Sequence, residues 1–320
     1  MTASVLAPLD EIRDGLADLY RDLHAHPELA FAEHRTAAVI AERVRELGYE
    51  VTTGVGRTGV VAVLRNGPGP VVLLRADMDA LPVTEATGLP YASTERVRDR
   101  DGTEVGVMHA CGHDLHVAWL VGALDLLERA REQWSGTLLG VFQPAEESGG
   151  GARAMVEDGL FDRFGRPDVV LGQHVVPQPA GAIAYRPGPA MASSDALDIR
   201  LFGRGGHGAR PETTVDPVVM AAATVLRLQT VVAREVAGVD TAVVTVGAIH
   251  AGTKHNIIPA EAELRVTVRA FTEPVRRRVL DAVARIVRAE SAASGAVREP
   301  EITAVGHYPV LVHVPTASAR

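Results

Sequence analysis

Residues 136–147 read GTLLGVFQPAEE, an apolar run that predicts a buried β-strand and ends in two adjacent carboxylates, Glu146 and Glu147. Two other short apolar runs lead directly into polar residues. VVLL at 71–74 precedes RADMDALP, and VVL at 169–171 precedes GQH, which ends at His174. In open α/β sheets, catalytic groups gather beyond the carboxyl ends of the strands. These three strand ends therefore predict one shared crevice in an α/β domain with an open mixed sheet.

The single cysteine of the chain lies in another dense group of polar residues, MHACGHDLH at 108–116. A thiolate and an imidazole both suit zinc-like divalent ions, and Gly112 lets the backbone turn between Cys111 and His113. The group therefore predicts a metal site. A lone cysteine is more often a small buried apolar residue. A further alternative makes Cys111 a nucleophile with His113 or His109 as its base, but it leaves the paired carboxylates without a use.

A glycine-rich stretch, GVGRTG at 54–59, matches the spacing of a dinucleotide-binding loop. That fingerprint must open a helix after a strand, whereas VVAVL at 60–64 continues as a strand. The stretch therefore predicts a β-hairpin. Helical periodicity predicts two helices before it, at 9–23 and 35–47, and one behind the metal loop, at 117–131.

The second half of the chain has a different pattern. After a turn-rich boundary, PGP at 187–189, the order over residues 196–305 is strand, helix, strand, strand, helix, strand. This βαββαβ order is that of a ferredoxin-like module. The 320 residues exceed the usual size of one domain, about 100–200 residues. We therefore predict a catalytic metal-binding domain over 1–189, a second domain over 190–304, and a return to the first domain beginning at 305–320.

Composition argues against several classes of function. The net charge is −8, and the basic residues, nearly all arginine with Lys254 the one lysine, are dispersed among acids, which disfavours a nucleic-acid partner. The first ten residues lack a secretory signal pattern, and the apolar helix at 117–127 is far shorter than the ~20 residues of a membrane span. One cysteine excludes an intramolecular disulfide and fits a reducing cytosol. We expect a cytoplasmic enzyme without a nucleic-acid or membrane partner.

The runs at 75–82, 109–116, 143–147 and 172–174, in this order along the chain, resemble those of the M20 metallopeptidase and amidohydrolase family, in particular its branch of N-acyl-amino-acid and auxin-conjugate hydrolases. Further matching runs are LHAHPEL at 23–29, GRGGHGARP at 203–211 and NIIP at 256–259. The resemblance implies a zinc-peptidase-like catalytic domain with an inserted lid and dimerisation domain. It also implies two divalent metals per site, manganese or zinc, with cobalt and nickel as alternatives.

The resemblance assigns roles to the residues of the predicted crevice. The implied metal ligands are Cys111, which bridges, His113, Glu147 and His174. Glu146 would be the general base that takes a proton from the metal-activated water. A ligated glutamate has its lone pairs committed, so a second carboxylate must accept that proton. Asp79 is expected to hold a ligand imidazole or the loop from behind.

Three residues of the second domain are expected to touch the substrate. By resemblance, His207 reaches the active site of the partner subunit in a homodimer and holds the substrate carbonyl or oxyanion; the alternative is an idle loop histidine. Asn256 and Arg269 are expected at the substrate carboxylate, and Arg269 could equally be a surface charge. His24 and His26 are expected to have a structural role at a helix end.

The resemblance implies one more histidine ligand from a late segment that has no counterpart before Arg320; His307 and His313 lie nearby but outside such a motif. The expectation is therefore fewer than two bound metals. The leading function is hydrolysis of a small N-acyl amino acid or related amide by a metal-activated water. The alternatives are a metallo-carboxypeptidase or dipeptidase, and a truncated, catalytically silent member that dimerises or binds a ligand.

Overall fold

The computed structural model describes residues 5–98 and 102–314. Its contacts divide the chain into two units, Met1–Gly181 and Ala182–Arg320. The boundaries predicted after residues 189 and 304 both fall inside the second unit. The catalytic and lid roles given to the two domains remain predictions.

The first unit contains both helices and strands. Its helices are α1 (Leu9–Ala25), α2 (His34–Glu46), α3 (His113–Arg129), α4 (Gly151–Glu157) and α5 (Leu160–Phe164). Its strands are β1 (Glu50–Val55), β2 (Gly59–Asn66), β3 (Val71–Asp77), β4 (Arg96–Arg98), β5 (Glu104–Gly106), β6 (Gly136–Gln143) and β7 (Val169–Gly172). α3 begins at His113 rather than at the predicted residue 117, because Gly112 adopts a left-handed conformation, φ 76°, at the helix N-cap. The metal loop therefore leads straight into a helix.

Five strands form one mixed sheet in the order β1-β2-β6-β3-β7. β3 is parallel to both β6 and β7, whereas β1 and β2 form an antiparallel hairpin. The carboxyl ends of the three parallel strands therefore lie at the same edge, as the sequence predicted. The glycine-rich stretch at 54–59 is the hairpin turn and opens no helix, which excludes the dinucleotide-binding alternative.

Helices cover both faces of this sheet. α1, α2 and α3 pack on one face, where Ile40 and Phe142 are fully buried. α4 and α5 pack on the other face through Met155 and Leu160. Successive residues of β2 alternate between the two clusters, so this strand is buried on both sides. Burial on both faces explains why β2 reads as a continuous apolar run.

The second unit contains two α-helices and eight β-strands within the described residues. They are β8 (Gly188–Met191), β9 (Ser194–Phe202), β10 (Gly206–His207), α6 (Pro217–Glu235), β11 (Ala242–Ala251), β12 (Ile257–Ile258), β13 (Glu261–Ala270), α7 (Glu273–Ala293), β14 (Glu301–Tyr308) and β15 (Leu311–His313). The four long strands form an antiparallel sheet in the order β11-β13-β9-β14. Alternate residues of β13 are buried with apolar residues of α6 and α7. The long elements follow the predicted βαββαβ order.

The end of the described chain stays with the second unit. β14 pairs with β9 as far as Tyr308, and β15 pairs with β8. The predicted final strand at 300–305 is therefore longer than the sequence indicated. Through these pairings the residues of β14 and β15 belong to sheets of the second unit. The sequence prediction instead placed the start of a return to the first domain at residue 305.

One helix of the described residues, α6, is long and apolar enough by length and composition to cross a membrane. The sequence analysis considered only the apolar run at 117–127 as a possible membrane-spanning helix. One side of α6 is accounted for by packing, because Met220, Leu228 and Val231 are fully buried in the core of the second unit. Such a buried stripe is typical of a helix that packs on a sheet.

Candidate metal centre

The polar residues that follow the parallel strands lie close together, as predicted. Two overlapping groups have ligand atoms within 4.8 Å of one another: Cys111, His113 and His174 form the first, and His113, Glu146 and Glu147 form the second. His113 belongs to both groups and is fully buried. The predicted ligands and the predicted base therefore form one cluster at the carboxyl edge of the first sheet.

His113 is oriented as a metal ligand. Its Nδ1 lies 3.2 Å from Asp79 Oδ1, and donation of the Nδ1 proton to that carboxylate leaves the lone pair on Nε2. Nε2 has no hydrogen-bond partner among the described residues and lies 3.8 Å from Glu147 Oε1. A buried lone pair without a partner is unfavourable unless something binds it. The donor set therefore fits a divalent cation.

Asp79 contacts two of the predicted ligands. Its Oδ1 faces the His113 ring, and its Oδ2 accepts the backbone N–H of Glu147 at 3.0 Å. The Asp79 side chain is itself buried, so these contacts fix its orientation. The geometry supports the expected place of Asp79 behind the ligands, and its effect on metal affinity remains a prediction.

Cys111 and His174 form the more exposed side of the cluster. Cys111 Sγ lies 3.7 Å from His174 Nε2. His174 Nδ1 donates to the carbonyl of Val175 at 2.6 Å, which leaves Nε2 with a lone pair facing the thiol. Gly112 makes the approach possible, because a Cβ at this position would lie 2.5 Å from Val175 Cγ1. The glycine between the two ligands therefore has a packing role as well as a conformational one.

The protonation of Cys111 argues against a cysteine nucleophile. Burial, followed by the negative charges of Glu147 and Glu146, raises the pKa of the thiol to about 12. A nucleophilic cysteine needs a pKa lowered by a neighbouring positive charge. Burial also lowers the pKa of His109, one of the two alternative bases, to about 4, and the other, His113, contacts Asp79 through its Nδ1. A cation, by contrast, stabilises the thiolate form of a ligating cysteine.

His116 connects β3 to the loop after β7, a contact that the sequence did not reveal. Its Nε2 accepts the backbone N–H of Val175 at 2.8 Å, so its Nδ1 donates to Asp77 Oδ1 at 2.6 Å. Asp77 Oδ2 accepts from Arg75 at 2.7 Å. Burial alone would raise the pKa of Asp77, but the His116 hydrogen bond and the Arg75 charge lower it well below its usual range.

Asp77, His116 and His113 also have ligand atoms close enough to hold a cation. Both nitrogens of His116, however, are already committed to hydrogen bonds. We therefore assign Asp77 and His116 to positioning the segment that carries His174. This assignment gives a place to Asp77, which sequence reasoning could not interpret.

Glu146 has the electrostatic environment of a general base. Burial raises the pKa of its carboxyl, and the negative charges of Asp77 and Glu147 add to the rise. A raised pKa suits a carboxylate that must accept a proton near neutral pH. The preceding residue, Ala145, has φ +48°, a region that costs an L-residue about 1–2 kcal/mol. Backbone strain of this kind is typical of functional sites.

A second buried polar group lies at the N-terminus of α3, where His24, in the last turn of α1, makes contacts in keeping with the structural role expected of it. His24 Nδ1 lies 2.6 Å from Asp114, the neighbour of His113, and its Nε2 lies 3.1 Å from Glu85. Hydrogen bonding to Asp114 raises the pKa of His24 to about 9 despite its burial. A cationic His24 therefore joins α1, α3 and the loop that contains Glu85. His26, by contrast, is exposed.

We expect the free energy of unfolding of the metal-free protein to fall by roughly 2 kcal/mol between pH 6.5 and 9 because of His24. The folded pKa of His24, about 9, lies above its unfolded value. Its contribution is therefore complete below pH ~6.5 and is lost as the pH rises through about 9. Denaturant titrations at several pH values measure this fall, which should be smaller in His24→Gln. The matched control is His26→Gln, and an equal slope in both variants would contradict the assignment.

The second unit brings together two of its three predicted substrate contacts. His207, on β10, pairs with Ile257 of β12, and the N–H of Gly208 donates to the carbonyl of Asn256 at 2.9 Å. Arg269 is exposed near the far end of β13. It lies eight residues beyond Glu261, or about 26 Å along an extended strand. Within one chain, therefore, His207 and Asn256 are neighbours and Arg269 is not.

An open mixed sheet with thiol, imidazole and carboxylate groups gathered beyond its parallel strands is the arrangement of a metal-binding enzyme with an α/β fold. Residues 73–298 match the peptidase family M20/M25/M40, and the chain belongs to this family. The family expected from the sequence motifs is thus confirmed. Its members include enzymes named as amide-bond hydrolases.

Three relatives illustrate the range of the family. The chain is 41% identical over 310 residues to thermostable carboxypeptidase 2 of Saccharolobus solfataricus, covering 95% of this chain and 76% of that protein. It is 39% identical over 306 residues to the N-acyl-L-amino acid amidohydrolase of Geobacillus stearothermophilus, with 95% and 79% covered. A crystal structure of a dinuclear metal-binding M20 peptidase from Bacillus subtilis matches with a TM-score of 0.78 and 34% identity, over 96% of this chain and 77% of that one.

Proposed function

We propose that this chain is a metal-dependent amidohydrolase that cleaves the amide bond of N-acyl amino acids or related small amides. The observation that carries the proposal is the position of Glu146, a carboxylate with a raised pKa, beside the cluster of predicted ligands. The similarity to an N-acyl-L-amino acid amidohydrolase supports the substrate class.

The proposed cofactor is divalent cations, manganese or zinc, with cobalt and nickel as alternatives; the four ligands named below suffice for at least one cation, and a complete second position needs the further histidine that the family resemblance implies. The relative from Bacillus subtilis is described as dinuclear, which supports a pair. The residues that would hold the cations are Cys111, His113, Glu147 and His174. When bound, the cations supply Lewis acidity, which polarises the amide carbonyl and makes water a stronger acid.

The chain itself contributes proton transfer and positioning. Glu146 accepts the proton of the attacking water and returns it to the nitrogen of the leaving amine, which is the ordinary cycle of a general base. Asp79 holds the His113 ring and the backbone of Glu147. His116 holds the loop of His174 through Val175. These contacts keep the two glutamates in separate roles.

We further propose that the second unit is a ferredoxin-like lid and dimerisation domain, inserted into the catalytic domain. Its βαββαβ order and antiparallel sheet support the fold. In this proposal His207 of one subunit completes the active site of the other and holds the substrate carbonyl or oxyanion. Asn256 and Arg269 would contact the substrate carboxylate, and their separation within one chain would allow them to serve different subunits.

The decisive experiment is a panel of N-acetyl, benzoyl and indole-acetyl amino acids assayed with added manganese, zinc or cobalt. Turnover of at least one N-acyl amino acid is the expected result. The runner-up function is a metallo-carboxypeptidase, which the 41% identity to a thermostable carboxypeptidase favours. N-blocked dipeptides in the same panel separate the two functions. Metal binding without turnover of any substrate would support the catalytically silent alternative.

Replacement of Cys111 by serine is expected to weaken metal binding by about 10- to 100-fold, because a neutral hydroxyl replaces a soft thiolate. Titration of the metal-free protein with zinc, followed by calorimetry, measures the change. Gln229→Ala is the control, since Gln229 is an exposed residue of α6, outside the unit that carries the predicted ligands. Unchanged affinity and stoichiometry in Cys111→Ser would remove Cys111 from the ligand set.

Mixed dimers test whether His207 acts in the partner's site. His207→Ala and Glu146→Gln chains, each inactive alone, are expected to regain activity after subunit exchange, because one site of each heterodimer then contains only intact parts. The expected recovery is about a quarter of the parental activity under statistical exchange, since half of the dimers carry one intact site of two. Absence of recovery after exchange has been verified by mass spectrometry would contradict the arrangement.

A further inference from the structure

The loop that carries the proposed base is held at Ala145. Ala145 is fully buried and has φ +48°, an unusual conformation for a residue with a Cβ. Its carbonyl accepts the N–H of Gly151 at 3.1 Å and the hydroxyl of Ser148 at 3.2 Å. Gly151 can approach only because it has no side chain, since a Cβ there would lie 1.5 Å from the oxygen of Pro144. The direction of the following residue, Glu146, depends on this local conformation.

The N–H of Ala145 is bound by a carboxylate from a distant part of the chain. Ala145 N donates to Glu33 Oε1 at 2.8 Å, across 112 residues of sequence. The hydroxyl of Thr58 donates to Glu33 Oε2 at 2.5 Å. Glu33 is fully buried. It stands at the N-cap of α2, yet its side chain makes no cap hydrogen bond to that helix. Its carboxylate is therefore directed at the loop and not at its own helix.

The glycine-rich hairpin at 54–59 contacts both Glu33 and the loop that carries Glu146. Thr58 lies in its turn, and the neighbouring Gly59 packs so closely that a Cβ would lie 3.1 Å from Cδ of Pro144. Phe31, which also has a positive φ of 62°, packs against Gly150. A Cβ on Gly150 would lie 3.3 Å from the Phe31 ring. Two segments from early in the chain therefore enclose residues 144–150.

We propose that Glu33 is a positioning residue of the amide hydrolysis, because its carboxylate holds the strained backbone at Ala145 and so sets the direction of the general base Glu146. This inference rests on the proposed function. Burial raises the pKa of Glu33, although the hydrogen bonds from Thr58 and Ala145 oppose the rise. Holding an N–H requires an acceptor oxygen at the right reach and does not require a full charge.

Two substitutions of Glu33 separate the effect of its side-chain length from the effect of its charge. Glu33→Asp keeps the carboxylate but shortens the side chain by one methylene, so it cannot bridge Thr58 and Ala145. Glu33→Gln loses the charge but keeps an oxygen for the Ala145 N–H and an amide that can donate to the Thr58 hydroxyl. We expect Glu33→Asp to lower kcat by about 10- to 100-fold with KM and bound metal nearly unchanged, because small displacements of a catalytic group have effects of this size. We expect Glu33→Gln to stay within about 3-fold of the parent.

Glu28 offers a matched control. Its carboxylate also accepts two backbone N–H groups, those of Arg35 and Thr36 at 3.0 and 2.8 Å, but they belong to the first turn of α2. Glu28→Ala should therefore lower the melting temperature without lowering kcat. Equal kcat in Glu33→Asp and the parent, or a loss of kcat in Glu28→Ala as large as in Glu33→Asp, would overturn the proposal.

Hydrogen exchange keeps the test independent of activity. In Glu33→Asp, the Ala145 amide is expected to exchange about 10-fold faster or more, while amides in β6 are unchanged. The double variant Glu33→Asp with Ala145→Gly should recover part of the lost kcat, because glycine adopts a positive φ without strain. If the parent protein hydrolyses none of the panel, the proposed function fails, and slow exchange of Ala145 in Glu33→Asp would then separately overturn the positioning role.

Discussion

Glu146→Gln should lower turnover by about 10²- to 10⁴-fold and leave the bound metal unchanged. The amide has nearly the shape of the carboxylate but cannot accept the proton of the attacking water. In the structure Glu146 has a raised pKa and lies in the group that also contains His113 and Glu147. Steady-state kinetics on an N-acyl amino acid, combined with metal analysis of the same preparation, measures both quantities.

The matched control for this prediction is Glu147→Gln. Glu147 Oε1 lies 3.8 Å from the free nitrogen of His113, so its loss should reduce bound metal as well as turnover. Equal metal loss in the two variants would contradict the division of roles between the glutamates. Normal turnover in Glu146→Gln would remove Glu146 as the base.

Part of the convergence of the site could be predicted from the sequence, because Asp77, Glu146, Glu147 and His174 lie at the ends of apolar strands or follow them closely. β3, β6 and β7 are parallel neighbours, so their carboxyl ends must meet at one edge. Strand order accounts for Glu146, Glu147 and His174, whereas Cys111 and His113 come from the loop before α3 and its first residue. The βαββαβ order of the second unit was likewise visible as alternating periodicities.

The residues that hold the site in place could not be predicted in the same way. His24 meets Asp114 across 90 residues, and Glu33 meets Ala145 across 112. Pairings of this kind depend on how helices pack on the sheet, and no local pattern carries them. One weak signal existed: Glu33 and Asp77 are acidic residues beside apolar runs, and a buried acid must have a partner.

The sequence prediction of where an element begins was wrong where the backbone conformation of a single residue determines the start. α3 starts at His113 because Gly112 takes a left-handed φ, and hydrophobic periodicity, which begins at Val117, cannot detect that turn. The consequence is functional. His113 stands in the first turn of a helix, where backbone geometry restricts its side chain, and not in the tight loop that the sequence suggested.

Removal of divalent cations with a chelator is expected to lower hydrolysis by about 10³-fold or more, because several kcal/mol of transition-state stabilisation are lost. Added manganese or zinc should restore it. The metal-free site is poorly suited to any other chemistry: its thiol has a pKa of about 12 and its buried His109 a pKa of about 4. For the same reason Cys111 should react slowly with iodoacetamide at pH 7.5 once the cations are removed, since only the thiolate is reactive. Rapid alkylation of the metal-free protein, together with hydrolysis that survives the chelator, would instead establish Cys111 as a nucleophile and overturn the metal-dependent mechanism.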